Sequence, residues 1–251
     1  MRTSAELDGY QYLPGSTFAS GAVLASDGFT IERAVLSALQ PLQDGFRTIE
    51  SHLASIGRPI GALCGIELRS PQTLPAEAFR AFNGLYNAQL ESWGLIRDER
   101  SPLARTNVAP VTREVETPSL AAFSYTTEAP GSAPSYVVSG TAELRDGARY
   151  PDDIVLPGEA SPAALSEKLR VVVQIVLDRL AAAGTVWDDA ATVHLYSSHA
   201  VDYELQHVVL PEFGISPVHG VISHATRPPV QGLELEIDVR RYNTEWFVDL
   251  A

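Results

Sequence analysis

Cysteine is nearly absent from this 251-residue chain, which contains only Cys64. A single thiol excludes an internal disulfide framework and a zinc site built from several cysteines. No apolar run is long enough to cross a membrane, and residues 1–10 lack the basic and apolar regions of a secretory signal. We therefore expect a cytoplasmic protein.

Positive charge is also scarce, with 18 Lys and Arg against 31 Asp and Glu and a net charge of −13. A nucleic-acid groove and an anionic membrane surface both attract clustered Lys and Arg, and the sequence has no such cluster. It also lacks a P-loop, a G-x-G-x-x-G turn, a G-x-S-x-G elbow and the H-E-x-x-H spacing of a zinc site. We expect no nucleic-acid or membrane partner, no metal and no cofactor.

An internal repeat is the strongest pattern that is present. SGAVLASDG (20–28) and SGTAELRDG (139–147) have the same spacing, and their alternation around a D-G turn predicts a β-hairpin in each. Apolar residues at helical spacing follow both segments and stop at Gly57 and Gly184, which predicts two helices that end there. A strand then follows each glycine at the same distance.

Each copy continues with a second amphipathic helix and a closing strand. Residues 79–90 and 201–209 carry the helical periodicity, and the closing strands are expected at 119–126 and 233–239. Both copies therefore have the order β-hairpin, helix, strand, helix, strand.

The segment between the two copies, 126–134, contains two prolines and one glycine. This composition is typical of a linker. We therefore predict a first module at 1–127 and a second at 135–251.

Three local motifs accompany this order of elements: FRAFNGLY (79–86), ARTNV (104–108) and GLELEID (232–238). They resemble the helix pattern F-x-x-x-N-x-x-Y, the A-R-S-C-V motif and the acidic closing strand of the RidA (YjgF-like) family of imine and enamine deaminases. The resemblance implies an α/β (α+β) fold of two tandem RidA-like, chorismate-mutase-like modules, each a mixed sheet with two helices packed on one face. It also implies a site between neighbouring subunits of a homotrimer.

Four further segments are shared with a narrower group: QPLQDGF (40–46), HLASIGRP (52–59), ELRSP (67–71) and RPPVQGLELEIDVR (227–240). They resemble segments of the 2-aminomuconate-type deaminases of aromatic-amine catabolism, including the 2-amino-5-chloromuconate form. This resemblance implies a cofactor-free hydrolase that releases ammonia from a small imine or enamine acid. The expected substrate is a 2-aminomuconate-like dicarboxylate.

The chain departs from the RidA pattern in both copies. Asn107 stands where the family often has Cys, Phe123 stands about where the acidic residue belongs in the first copy, and Val221 or a neighbour replaces the arginine in the second. Neither copy is complete, so we expect Arg105 from the first and Glu236 from the second to serve one site.

Arg105 is the expected carboxylate anchor. The planar guanidinium of arginine makes two parallel hydrogen bonds to a carboxylate, and an acidic protein needs such a dedicated cation to bind an acidic substrate. The alternative is a structural ion pair with one of the 31 carboxylates.

Glu236 is the expected catalytic residue. Glu234, Glu236 and Asp238 alternate with apolar residues and therefore share one strand face, where like charges raise the pKa of the middle carboxyl most. A raised carboxyl can take a proton from water and later return one to nitrogen near neutral pH. For Glu234 and Asp238 we favour the alternative, a solvated face balanced by Arg240 and Arg241.

Five more residues complete the predicted substrate-binding set: Ser20, Gly21, Asn83, Asn107 and Gly140. Glycine lets a ligand approach backbone N–H groups closely, although it also eases hairpin packing. Asn83 lies on a helix among aromatic residues, and we expect it to bond the backbone of a neighbouring loop, as most buried side-chain amides bond backbone or water.

Cysteine and histidine offer little further chemistry. Cys64 lies between apolar neighbours on a predicted strand and is expected in the core. Of the six histidines, His219 and His224 flank the candidate site, and the sequence leaves open whether either lines it.

Two other functions are compatible with these residues. One is a chorismatase-like hydrolase of chorismate or another enol-ether acid, and the other is a non-catalytic trimer that binds a metabolite. Arg105 suits all three functions, whereas a proton-carrying Glu236 suits only the enzymes.

Overall fold

A computed structural model describes residues 8–145 and 150–249 as an eleven-stranded mixed sheet with helices packed against it. The strands are β1 (Tyr10–Leu13), β2 (Ala22–Ala25), β3 (Phe29–Pro41), β4 (Leu63–Arg69), β5 (Ala104–Pro110), β6 (Ser119–Glu128), β7 (Tyr136–Ala142), β8 (Thr192–Ser197), β9 (Val221–Arg227), β10 (Leu235–Arg241) and β11 (Thr244–Val248). The helices are α1 (Leu42–Ser55), α2 (Ala76–Ser92), α3 (Pro162–Ala182), α4 (Asp202–Glu204) and α5 (Leu210–Glu212), with a 3₁₀ turn at Ile60–Ala62 and a π-helical turn at Leu205–Val209.

The internal repeat is visible in the order of the strands. Strands β3-β6-β4-β5 lie side by side in the first half, and β7-β10-β8-β9 lie in the same order in the second. Each of these sets of four strands has one parallel pair, β4 with β5 and β8 with β9, and a short antiparallel pairing of β5 with β9 joins the two sets. The predicted fold class, two RidA-like modules with mixed sheets, is confirmed; the module boundaries stay a prediction.

The helices cover one face of each half. Helices α1 and α2 pack on the first half in one apolar core, and α3 packs with the α4–α5 segment on the second half in another. Gly57 and Gly184 follow α1 and α3 with φ of +69° and +79°, which confirms the predicted helix ends. Ser161 caps α3 by accepting a hydrogen bond from the Ala164 N–H, and Pro162 starts the helix.

The first predicted hairpin is wrong. Strands β2 and β3 flank the turn at Asp27-Gly28, but β2 pairs with β1 and β7, and β3 pairs with β6 and β11. A D-G dipeptide favours a local turn, whereas the partner of each strand is chosen by distant packing: Val23 of β2 is buried in an interior cluster with Val137 of β7. The second predicted turn, at 146–147, lies outside the described residues.

The two ends of the chain are therefore exchanged between the halves. The N-terminal strands β1 and β2 extend the sheet of the second half, and the C-terminal strand β11 extends the sheet of the first. The counterpart of β7 is β3, because each pairs with the closing strand of its own half. SGAVLASDG and SGTAELRDG are thus not equivalent segments of the two modules.

None of the helices within residues 8–145 and 150–249 combines the length and the apolar character needed to cross a bilayer.

Candidate active site

A cavity of about 900 Å³ opens between the two halves of the molecule. Its wall contains the seven residues singled out from the sequence: Ser20, Gly21, Asn83, Arg105, Asn107, Gly140 and Glu236. Arg105, Asn83 and Asn107 come from the first half, on β5 and α2, and Gly140 and Glu236 come from β7 and β10 of the second. Both halves of one chain therefore build the cavity together.

Ser139 and Gly140 form a β-bulge at the edge of the cavity. Ile237 of β10 pairs with Thr141 and Val239 pairs with Val138, so β7 carries one more residue than its partner at this point. The Ser139 hydroxyl donates to the Ser20 carbonyl at 2.6 Å and accepts from the Arg105 N–H at 3.1 Å. The two Ser-Gly pairs thus meet side by side at one site.

The guanidinium of Arg105 is buried without a carboxylate partner. Its Nη1 donates to Asn83 Oδ1 at 2.8 Å, and its carbon lies 4.5 Å from the ring centre of Phe18 and 5.0 Å from that of Tyr86. Within the described residues no carboxylate lies at ion-pair distance from Arg105. Burial lowers the pKa of Arg105 to about 10, which still leaves a cation at neutral pH. An incoming carboxylate would find this cation unpaired.

Asn83 contacts Arg105 instead of the loop backbone that we expected. Helix α2 is amphipathic and turns Asn83, Tyr86 and Leu90 inward, which places the Asn83 amide beside the guanidinium. The aromatic contacts of Arg105 were missed from the sequence, because Phe18 lies far from the α2 residues along the chain.

Glu236 is the second buried ionisable group on the cavity wall. Its side chain lies over Gly140, where a methyl group would overlap the Oε1 atom. Burial, and after it the charge of Asp238, raises the pKa of Glu236 to about 8, although Arg105 and Arg69 act in the opposite direction. The raised pKa agrees with the expected direction, but burial contributes more than like charge. Glu234 lies just outside β10 and its carboxylate contacts His199 Nε2 at 2.8 Å.

Asp238 does not lie on a solvated face. Its side chain is fully buried and accepts hydrogen bonds from Thr106 Oγ1 at 2.7 Å, Tyr196 OH at 2.9 Å and Arg240 Nε at 2.7 Å. Burial alone would raise the pKa of Asp238, but the guanidinium of Arg240 holds it below the usual value. Alternation along a strand predicted the shared face, but it did not reveal that residues of other strands, such as Thr106 of β5, cover Asp238. Arg241 pairs with Asp188 at 2.7 Å.

Three buried donors on the cavity wall have no partner among the described residues. They are Ser20 Oγ, Asn83 Nδ2 and Asn107 Nδ2. Buried polar atoms are nearly always hydrogen-bonded, so donors of this kind point to a ligand. Asn107 is held in place because its Oδ1 accepts from Ser70 Oγ at 3.0 Å.

Positive charge surrounds the cavity although the chain as a whole is acidic. Among the described residues, the wall includes two carboxyl groups, those of Asp178 and Glu236, and four arginines besides Arg105: Arg80, Arg100, Arg145 and Arg179. These arginines are scattered along the sequence, and none occupies a defined position of the motifs that predicted the site. The cavity suits an anionic ligand with more than one carboxylate.

The histidines lie elsewhere. Neither His219 nor His224 lines the cavity, and His224 Nε2 instead contacts His194 Nδ1 at 2.9 Å. Burial lowers the pKa of His194 to about 3. In the part of the chain that the structure describes, no group of three or more His, Cys, Asp or Glu side chains is placed to hold a metal ion. Cys64 is buried in the core as predicted, and burial raises the pKa of its thiol.

The positions equivalent to Arg105 and Glu236 in the opposite halves carry neither group. Val221 pairs with Val193 as Arg105 pairs with Ile66, and Val193 and Ile66 both lie nine residues after the glycine that ends the preceding helix. By the same register the counterpart of Glu236 is Ser119, not Phe123. Each chain therefore carries the Arg–Glu pair once.

The fold and the sequence of this chain are each similar to those of known enzymes. A chorismatase of known crystal structure matches 96% of this chain and 79% of its own, with a TM-score of 0.51 and 13% identity, which shows a shared fold. The sequence model of the family described as 2-aminomuconate deaminase CnbZ matches residues 2–246. The 2-amino-5-chloromuconate deaminase of Comamonas testosteroni is 40% identical over 237 residues, 92% of this chain and 93% of that protein. This chain belongs to the 2-aminomuconate deaminase family, as its resemblance predicted.

Proposed function

We propose that this chain is a hydrolytic deaminase that releases ammonia from a 2-aminomuconate-type enamine dicarboxylate without a cofactor. The observation that carries the proposal is that one cavity contains both Arg105 and Glu236. Arg105 is buried without a carboxylate partner among the described residues, and the pKa of Glu236 is raised to about 8. Membership of a deaminase family supports the reaction class.

The residues around Arg105 would bind the substrate carboxylate next to the amino-bearing carbon. The guanidinium offers a charged, forked donor, and the unpartnered Asn83 Nδ2 lies on the amide that the guanidinium already contacts. Ser20 Oγ and Asn107 Nδ2 offer further donors on the same wall. Holding the carboxylate in this way orients the reacting carbon relative to Glu236.

Glu236 would act first as an acid, because a carboxyl group with a pKa of about 8 is protonated in most molecules at neutral pH. It gives that proton to the enamine carbon while the nitrogen lone pair forms the C=N bond. The resulting carboxylate takes a proton from a water molecule as the water oxygen bonds to the imine carbon, which yields a carbinolamine. This order reverses the expectation from the sequence, in which Glu236 acted first as a base.

The same residue would complete the reaction. Glu236 protonates the nitrogen, and the C–N bond then breaks as the hydroxyl proton passes back to the Glu236 carboxylate. One enamine and one water give one oxo acid and one ammonia, and Glu236 is protonated again. The similarity to chorismatase concerns the fold alone and does not favour enol-ether hydrolysis.

The test is ammonia release from 2-aminomuconate formed in situ, with the oxo acid measured in parallel. We expect equal amounts of both products, unchanged after exhaustive chelation, and a KM raised by about 10- to 100-fold in R105A because a charged hydrogen-bond pair is lost. R113Q, at an exposed arginine outside the cavity, is the control. Absence of turnover in the wild type would refute the proposed substrate class.

A further inference from the structure

We propose that Arg80 receives the second carboxylate of the substrate and so selects dicarboxylates over monocarboxylates. The inference rests on the proposed function, because it concerns the same cavity and the same substrate class. It assigns a specificity-determining role to a residue that no sequence motif singles out.

Helix α2 places Arg80 about one turn before Asn83, which contacts the guanidinium of Arg105. Arg80 and Asn83 are three residues apart and therefore lie on one helix face, about one turn from each other. Asn83 is buried and accepts a hydrogen bond from Arg105, whereas Arg80 is exposed at the cavity mouth. Two guanidinium groups, one deep and one outer, thus face the same cavity.

Arg80 differs from the other outer arginines in its contacts. Arg179 Nη1 donates to Thr141 Oγ1 at 2.7 Å, Arg100 Nη1 donates to the Gly15 carbonyl at 3.3 Å, and Arg145 borders the segment 146–149 outside the described residues. Arg80 makes no hydrogen bond or ion pair with the residues that the structure describes, although Glu77 lies three positions earlier on the same helix. Its charge is available to a ligand.

The substrate class matches this arrangement. A 2-aminomuconate-type molecule carries carboxylates at both ends of a conjugated six-carbon chain, and conjugation keeps that chain planar and stiff. Phe18 and Phe79 line the same cavity with their ring centres 5.7 Å apart, and they offer an apolar surface to the chain between the two carboxylates. With one carboxylate at Arg105, the other points toward the mouth and Arg80.

Two unreactive ligands isolate the contribution of the second carboxylate. Muconate (hexa-2,4-dienedioate) and sorbate (hexa-2,4-dienoate) share the diene and differ at one end, where muconate has a carboxylate and sorbate a methyl group. We would measure the Kd of both by calorimetry for the wild type, R80Q, R80K and the control R113Q. Arg80 and Arg113 are both exposed, so these substitutions leave the core unchanged.

We expect the wild type and R113Q to bind muconate about tenfold or more tightly than sorbate. R80Q should bind both ligands with the Kd that the wild type has for sorbate. R80K keeps the cation and should retain part of the preference for muconate. An R80Q variant that still prefers muconate as the wild type does would overturn the role of Arg80 and leave the proposed function intact. A wild type that shows no preference and no turnover of 2-aminomuconate would overturn the proposed function itself.

Discussion

At the scale of single residues, Gly140 and Glu236 act as one unit, because the carboxyl group occupies the space where any other residue would place its Cβ. The atom in the way is the end of a flexible side chain, so an added methyl displaces the carboxyl without disturbing the backbone. The position of the proposed proton donor, Glu236, therefore depends on a glycine in the neighbouring strand.

The variant G140A tests this dependence. We expect it to fold normally and to lose up to about 10²-fold in kcat, since small displacements of a reacting group have effects of that size. G84A is the matched control, because a Cβ added at Gly84 on α2 would meet no other atom within 4 Å. Equal kcat values for the two variants would contradict the proposed role of Gly140.

The protonation state of Glu236 should be visible in the pH profile. Its acid form starts the proposed reaction, so kcat/KM should fall as pH rises through about 8. E236Q cannot exchange the proton, and we expect kcat to fall by roughly 10²–10⁴-fold with little change in KM. A wild-type profile that rises through pH 8 would show instead that the carboxylate is the starting form.

The same raised pKa has a cost in stability. In the unfolded chain Glu236 ionises near its usual pKa of 4.5, whereas in the folded chain it holds its proton up to about pH 8. The folded state thus binds more protons between these values, and stability contributed by the acid form is lost as pH rises through this window. Thermal melts should show the Tm of E236Q increasing relative to that of the wild type as the pH rises from 4.5 to 8, with a constant difference below pH 4.5. A constant difference across this range would argue against the raised pKa.

At the scale of elements, the sequence predicted those features that depend on neighbours in the chain. The ends of α1 and α3 followed from periodicity and from the glycines at 57 and 184, which adopt the left-handed conformation that terminates a helix. The pairing of β2 did not follow, because a turn residue cannot specify a partner more than a hundred residues away. The burial of Asp238 was missed for a related reason: the period of a strand tells which residues share a face, not what covers it.

The candidate site was predicted from family motifs and from the internal repeat. The motifs contain Asn83, Arg105, Asn107 and Glu236, whereas Ser20, Gly21 and Gly140 belong to the repeated Ser-Gly pairs. All seven line one cavity, and their roles stay predictions. The outer arginines and the aromatic contacts of Arg105 come from separate parts of the chain and acquire meaning only when the halves meet.

At the scale of the whole molecule, strand β9 suggests how copies of the chain assemble. It lies between β8 and β5, yet its residue Ile222 is 43% exposed. Val218, which precedes β9, and Val111, which follows β5, are also exposed, at 72% and 51%. Its counterpart β5 is covered by β7 of the same chain, where the Arg105 N–H donates to Ser139. We propose that β9 is covered by another copy and that the protein is a homotrimer.

Light scattering of the wild type and of I222E tests this assembly. We expect a trimer mass for the wild type and a smaller mass for I222E, which places a charge on the exposed face. L85E, at an exposed leucine of α2, should remain trimeric. Because Arg105 and Glu236 belong to one chain, the dissociated I222E should keep its kcat. A monomeric wild type would contradict the proposed trimer. Loss of kcat on dissociation would contradict a site that one chain builds alone.

The exchange of the terminal strands has a consequence for how this chain can be divided. A polypeptide cut between β6 and β7 would keep β1 and β2 without β7, the strand that β2 pairs with, and the other fragment would keep β11 without β3. Each fragment would expose unsatisfied backbone along a sheet edge, which invites aggregation. We therefore expect neither half to fold on its own, because each half of the sheet includes a strand from the opposite end of the chain.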